Sequence, residues 1–271
     1  MNHLIKKVGI IILFTSLLSC KREYSFEVHQ SEGTLISATP SVPEYPSGLT
    51  LNNTNTITVQ VNVTKAGKYF ITTDTVNGVY FNASGTFRNT GMQTVILQGY
   101  GTPDNSGVCS WVVTYSSSSR NVSVNIYDWW EFEEEGAQYI GRMDSVYIVH
   151  LLGDNILIFE GTGDDGVDRK IMTVIDIGTT TSPVVGSYST DMGLSGFFVY
   201  GIVDLASGLF ITQTYASDRS TGGGGTRINL TIDNYNTTTQ MLSGTFSGNA
   251  VTDFGMLVNI TNGRFRAKFH P

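Results

Sequence analysis

Carboxylates are the densest chemistry in this chain of 271 residues. Glu131, Glu133, Glu134 and Glu135 lie almost consecutively. On a strand, alternate side chains share a face, so Glu131, Glu133 and Glu135 would line one side and Trp130, Phe132 and Glu134 the other. Charges of one sign this close repel unless water or a cation intervenes. Glycoside hydrolysis uses two carboxylates at a set separation, but nothing in the sequence fixes a second group opposite this run. A second acidic stretch, Glu160 to Asp168, holds Asp164, Asp165 and Asp168, oxygen donors of the kind Ca²⁺ takes. Its order departs from the EF-hand loop, and a solvated hairpin turn is the plainer expectation. No resident metal or cofactor is expected.

Nucleophilic chemistry has few parts to work with. His3, His29 and His270 lie toward the ends, leaving His150 as the one histidine inside an ordered-looking stretch. A hydrolytic triad needs a histidine to shuttle its proton, yet no Gly-x-Ser-x-Gly elbow accompanies this one. His150 therefore reads as a strand histidine with a hydrogen-bonded ring. Cys109, between Val108 and Trp111-Val112, reads as a buried thiol acting as a small hydrophobe. No His/Cys spacing fits zinc. Gly222 to Gly225 precede Thr226-Arg227 rather than Lys-Ser/Thr, so the run is a linker and no phosphate loop. The remaining candidates are aromatic. Trp129 and Trp130 are adjacent, so one faces a core and the other outward, as a sugar-stacking platform or as a seal between domains. Their place at a domain boundary favours the seal. Tyr100, expected in a loop at 99–107, is a further exposed aromatic. Trp129, Trp130 and Tyr100 are the candidate ligand-binding residues, and no catalytic residue is assigned.

The elements that must position these residues are strands. Hydrophobic residues make up 40% of the chain and charged residues 14%, against about 25% charged in ordinary globular proteins. That excludes a disordered chain, which needs low hydrophobicity and high charge. Thr56 to Val63 alternates strictly, the period of a half-buried strand. Asn77-Gly78 between Val76 and Val79 is a two-residue hairpin signal, because both positions tolerate positive φ. Further runs at 68–76, 79–87, 92–97, 108–115 and 122–126, with a candidate at 34–38, make about seven strands, enough for an immunoglobulin-like sandwich over 51–127. Eleven more strand candidates with short Gly-, Asp- and Asn-rich links fill 128–271. So many antiparallel neighbours close into a barrel or split into a second sandwich.

Charge divides the chain at the same place. Residues 40–127 carry a net charge of +1 and residues 128–271 a net charge of −9. The acidic second half argues against nucleic acid as a partner.

The amino terminus reads as an address. Lys6-Lys7 precede an apolar run, Val8 to Leu18, too short to span a bilayer. The following Leu17-Leu18-Ser19-Cys20 resembles a bacterial lipobox, which implies cleavage of residues 1–19 and acylation of Cys20. Cutting there removes two lysines and no acid, taking the formal net charge from −7 to −9. Residues 20–50, with Pro40, Pro43 and Pro46, are then expected to form a lipid-anchored tether, in which Thr34 to Ala38 is a candidate first strand.

The segment Gly67-Lys68-Tyr69, Asn77-Gly78-Val79, Ser84-Gly85-Thr86-Phe87, Thr90-Gly91 and Gly101-Thr102-Pro103 resembles a β-sandwich module of Bacteroidetes outer-membrane lipoproteins and adhesins. The resemblance implies a non-catalytic spacer or adhesion module. The Gly136, Tyr139, Gly141 opening and the Ser243 to Phe246 and Ile260 to Phe265 ending resemble calycin-like lipoprotein domains of the same group, which implies a barrel.

The expectation is an all-β, non-catalytic lipoprotein of the outer membrane that binds a glycan or an envelope protein. A structural accessory subunit and a carboxylate-dependent glycoside hydrolase are the alternatives.

Overall fold

A computed structural model describes residues 29–164, 169–191, 196–203, 210–218 and 226–271. The apolar leader, Cys20, Asp165, Asp168 and Gly222 to Gly225 lie outside the described residues. Every regular element among the described residues is a strand.

The first unit is one curled sheet of eight strands: β1 (Glu32–Pro40), β2 (Glu44–Pro46), β3 (Thr56–Lys65), β4 (Gly67–Thr73), β5 (Val79–Phe87), β6 (Gly91–Gly101), β7 (Gly107–Tyr115) and β8 (Ser118–Tyr127). Their order is β1-β3-β6-β5-β4-β7-β8-β2. Naming β1 and then β3 to β8 A to G turns this into A-B-E-D followed by C-F-G, the strand order of an immunoglobulin sandwich. The short β2 adds a parallel partner to β8. Ile57, Val59, Val61 and Val63 of β3 all point inward and are buried, as the period-2 pattern requires. Asn77 (φ 52) and Gly78 (φ 77) both take positive φ in the β4–β5 connection. Trp111 Nε1 donates to the Val79 carbonyl at 2.9 Å inside this core. Cys109 is a free, buried thiol that accepts a hydrogen bond from Asn77 Nδ2.

The tether expected at 20–50 is corrected over its described part. Residues 32–40 pair with β3, and Leu35 and Tyr45 are buried in the first core. The prolines mislead because proline is tolerated at strand ends and on edge strands as well as in extended linkers. Pro40 ends β1 and Pro46 ends β2.

The second unit contains β9 (Trp129–Glu134), β10 (Ala137–Leu151), β11 (Asp154–Gly163), β12 (Arg169–Asp176), β13 (Gly186–Ser189), β14 (Phe197–Val203), β15 (Phe210–Asp218), β16 (Ile228–Asn236), β17 (Met241–Thr252) and β18 (Leu257–His270). Pairing runs β9-β10-β11-β12-β14-β15-β17-β18 and back to β9, each neighbour antiparallel. Among the described residues the ring closes through two residue pairs at β15–β17, while β16 flanks the rest of β17 and carries β13 outside it. Its interior is packed with rings. Phe132 lies within 6.2 Å, centroid to centroid, of Trp130, Tyr139, Phe198, Tyr200, Tyr215 and Phe246. One gap in this core, between Trp130, Met143, Phe159, Ile171 and Leu230, measures about 10 Å³, too small for a ligand.

Candidate functional site

Strand β9 places its alternate residues as alternation demands. Trp130 and Phe132 enter the core, and Glu131 and Glu133 face outward. Beside them β18 is irregular: Thr261 pairs with Glu133 and Arg264 with Glu131, so two residues of β18 stand opposite one of β9. Asn262 takes φ 52 at this bulge. Gly263 follows, where an added Cβ would run into the Phe246 carbonyl and ring. β17 meets the same irregularity from the other side, Ser247 alone standing opposite Thr261 and Asn262. This bulge of β18 parts the strands and leaves a groove of about 510 Å³ lined by Glu131, Glu133, Gln138, Thr245, Ser247 and Arg264, with Phe132, Phe246, Asn262 and Gly263. Its side chains hold one another. Glu131 accepts from Arg264 on one oxygen and from Gln138 on the other, and Asn262 Nδ2 donates to Glu133 Oε2 at 2.8 Å.

The groove abuts the junction between the two units. The Arg264 guanidinium lies 5.5 Å from the Trp129 ring centroid, and Trp129 Nε1 donates to the Ser47 carbonyl at 2.9 Å. Next to it Asp128 is buried and accepts from Ser47 Oγ, Ser106 Oγ and the Lys268 amide. Burial pushes its carboxyl above the usual aspartate range, against those three hydrogen bonds. Arg142 pairs with Glu44 of β2 and lies 4.8 Å from the Tyr127 ring centroid. The Arg142 and Asn125 hydrogen bonds hold Glu44 below its usual value.

The other sequence candidates are dispersed. Trp130 is 1% exposed and its indole covers Gly141 and Gly161, so it serves the core and presents no face to a ligand. Tyr100 sits within β6 instead of a long loop, stacked 5.4 Å from Tyr80 on the outer face. Glu135 leaves the strand face for a left-handed turn (φ 47), and Glu134 lies near the barrel mouth. His150 is exposed, its Nδ1 3.1 Å from Asn155 Oδ1. Asp164 pairs with Arg142. Among the described residues, no three His, Cys, Asp or Glu side chains group to hold a metal.

The sequence marks Glu131 and Glu133 only as a carboxylate run, not as ligand-binding candidates, and does not single out Gln138, Thr245, Ser247, Asn262 and Arg264 as their companions. The available signal was Asn262-Gly263 inside a long strand run. An interior glycine marks a bulge, and this bulge opens the groove.

Fold and site together define an immunoglobulin-type β unit joined to an aromatic-filled barrel with a polar groove on its wall. No family model matches the chain, and neither a curated protein nor a solved structure matches it.

Proposed function

We propose that this chain is a non-catalytic, lipid-anchored protein of the outer membrane whose barrel unit binds a glycan in the groove beside β9. The observation that carries this reading is the groove's composition. It offers carboxylate acceptors at Glu131 and Glu133, donors at Gln138, Asn262 and Arg264, and two-way hydroxyls at Thr245 and Ser247. Sugar hydroxyls both donate and accept, so they match such a mixed wall. The groups are already cross-linked by hydrogen bonds, which lowers the ordering cost of binding. Turnover of a glycoside needs one carboxyl to deliver a proton, whereas both oxygens of Glu131 are engaged as acceptors. The apolar leader ending at Cys20 supports the anchor, because two or more acyl chains hold a protein stably on a membrane. The first unit serves as the spacer that its module resemblance implies.

The test is a glycan array probed with the chain from residue 21 onward, with mass analysis of every bound ligand. Binding of intact glycans is expected. A cleaved product that disappears in Glu133→Gln replaces this reading with a hydrolase. Absence of any glycan binding replaces it with a protein-binding accessory subunit.

A further inference from the structure

A second concavity lies at one mouth of the barrel, away from the groove. It measures about 380 Å³ and is lined by Glu134, Glu135, Tyr215, Asp253, Phe254, Met256 and neighbouring residues of β17 and β18. Its apolar wall is the β17–β18 turn, where Phe254 is 84%, Met256 59% and Leu257 65% exposed. The turn is held by backbone bonds of 2.9 Å from Thr252 N to Met256 O and from Gly255 N to Thr252 O, with Gly255 at φ 77. Three large apolar side chains are thus held toward water by an ordered hairpin, a costly arrangement that marks a binding surface.

The polar wall selects the occupant. Tyr215 donates to Glu134 Oε2 at 3.1 Å, so Tyr139, whose hydroxyl is 2.7 Å away, must donate to Tyr215. This relay orients Glu134, and among the described residues its other oxygen accepts no hydrogen bond and no ion pair reaches Glu134, Glu135 or Asp253. A cation at Glu134 meets an acidic wall, with Glu135 and Asp253 lining the same concavity. An anion is repelled by all three.

We infer that the barrel mouth is a binding site for a cationic amphiphile, an ammonium or guanidinium group carried on an apolar body. The charged head sits at Glu134 and the body lies along Phe254, Met256 and Leu257. The site is separate from the proposed glycan groove and does not depend on it.

The experiment titrates the chain from residue 21 onward with 4-phenylbutylamine, with the neutral 4-phenylbutanol and the anionic 4-phenylbutyrate as controls, following backbone amide shifts by NMR. Saturating shifts confined to Glu134, Glu135, Tyr215 and residues 252–258 are expected for the amine, with the alcohol weaker and the acid inert. Glu134→Gln is expected to weaken the amine about tenfold, close to the loss of one charged hydrogen bond, and to leave the alcohol unchanged. Phe254→Ser, an exposed position, is expected to weaken both. Equal binding of amine and acid, an unchanged amine affinity in Glu134→Gln, or no saturating shift with the amine overturns the inference.

Discussion

Trp129 Nε1 and the Ser47 carbonyl meet at 2.9 Å across 82 residues of sequence, tying the first strand of the barrel to the end of β2. The same tryptophan lies under Arg264, which pairs with Glu131 of the groove. One side chain therefore stands between the domain joint and the candidate binding site.

The joint should make the two units unfold together. Asp128→Ala removes the acceptor of two hydroxyls and one amide at a buried position, an expected loss of about 2–4 kcal/mol. Differential scanning calorimetry should show one transition for the native chain and two for the variant. A single unshifted transition in the variant would mean that the contact contributes nothing.

Acid should loosen the joint through Glu44 and not through Asp128. Glu44 is held below its ordinary value by Arg142, so its contribution is present above the unfolded value near 4.5 and is lost as pH falls through the lower folded value. Asp128 is raised by burial, so its ionisation costs folded-state stability as pH rises from the unfolded value toward the folded one, and protonation relieves that cost. The Glu44 pair is half exposed and contributes roughly 0.5–1 kcal/mol after screening. Melting temperatures of native and Glu44→Gln chains should differ at pH 7 and draw together only as pH falls below the unfolded value of 4.5 and through the lower folded one. A gap that persists into acid rules out this assignment.

Packing around Trp130 allows no added methyl. At Gly161 a Cβ would sit 2.5 Å from Trp130 Nε1 and 2.6 Å from the Arg142 carbonyl. Gly161→Ala should cost about 1–3 kcal/mol in urea unfolding, the usual range for overpacking. Gly153→Ala, with nothing nearby but φ 98, tests backbone strain alone and should cost less. Equal losses at both sites would show that the indole contact is not the cause.

Anchoring is tested at Cys20. Cys20→Ser should move the protein out of the membrane fraction or leave its leader uncut. Native membrane association with native mass in that variant would end the lipid-anchor reading.

Most strands were legible because alternation is a local signal. The run at 56–63 became β3 with its four aliphatics inside. β10 runs from Ala137 to Leu151 through a bulge between Met143 and Ser145, an irregularity that interrupts the local alternation. Ring closure was open to either reading, since it depends on the distant pairing of Tyr215 with Thr252. The groove was half legible. The carboxylates on β9 follow from period 2, but Arg264 and Asn262 lie about 130 residues away and join them only through the register of β18 with β9. The proline stretch misled because, although Thr34 to Ala38 reads as a strand, the pairing of β1 with β3 and of β2 with β8 lies beyond any local pattern.

The glycan groove is the central claim, and isothermal titration of one array-identified glycan against native, Asn262→Ala and Glu133→Gln chains tests it most directly. At least a tenfold loss of affinity in each variant is expected, with little dependence on salt because the ligand is neutral. Native affinity in both variants would contradict the groove as the binding site.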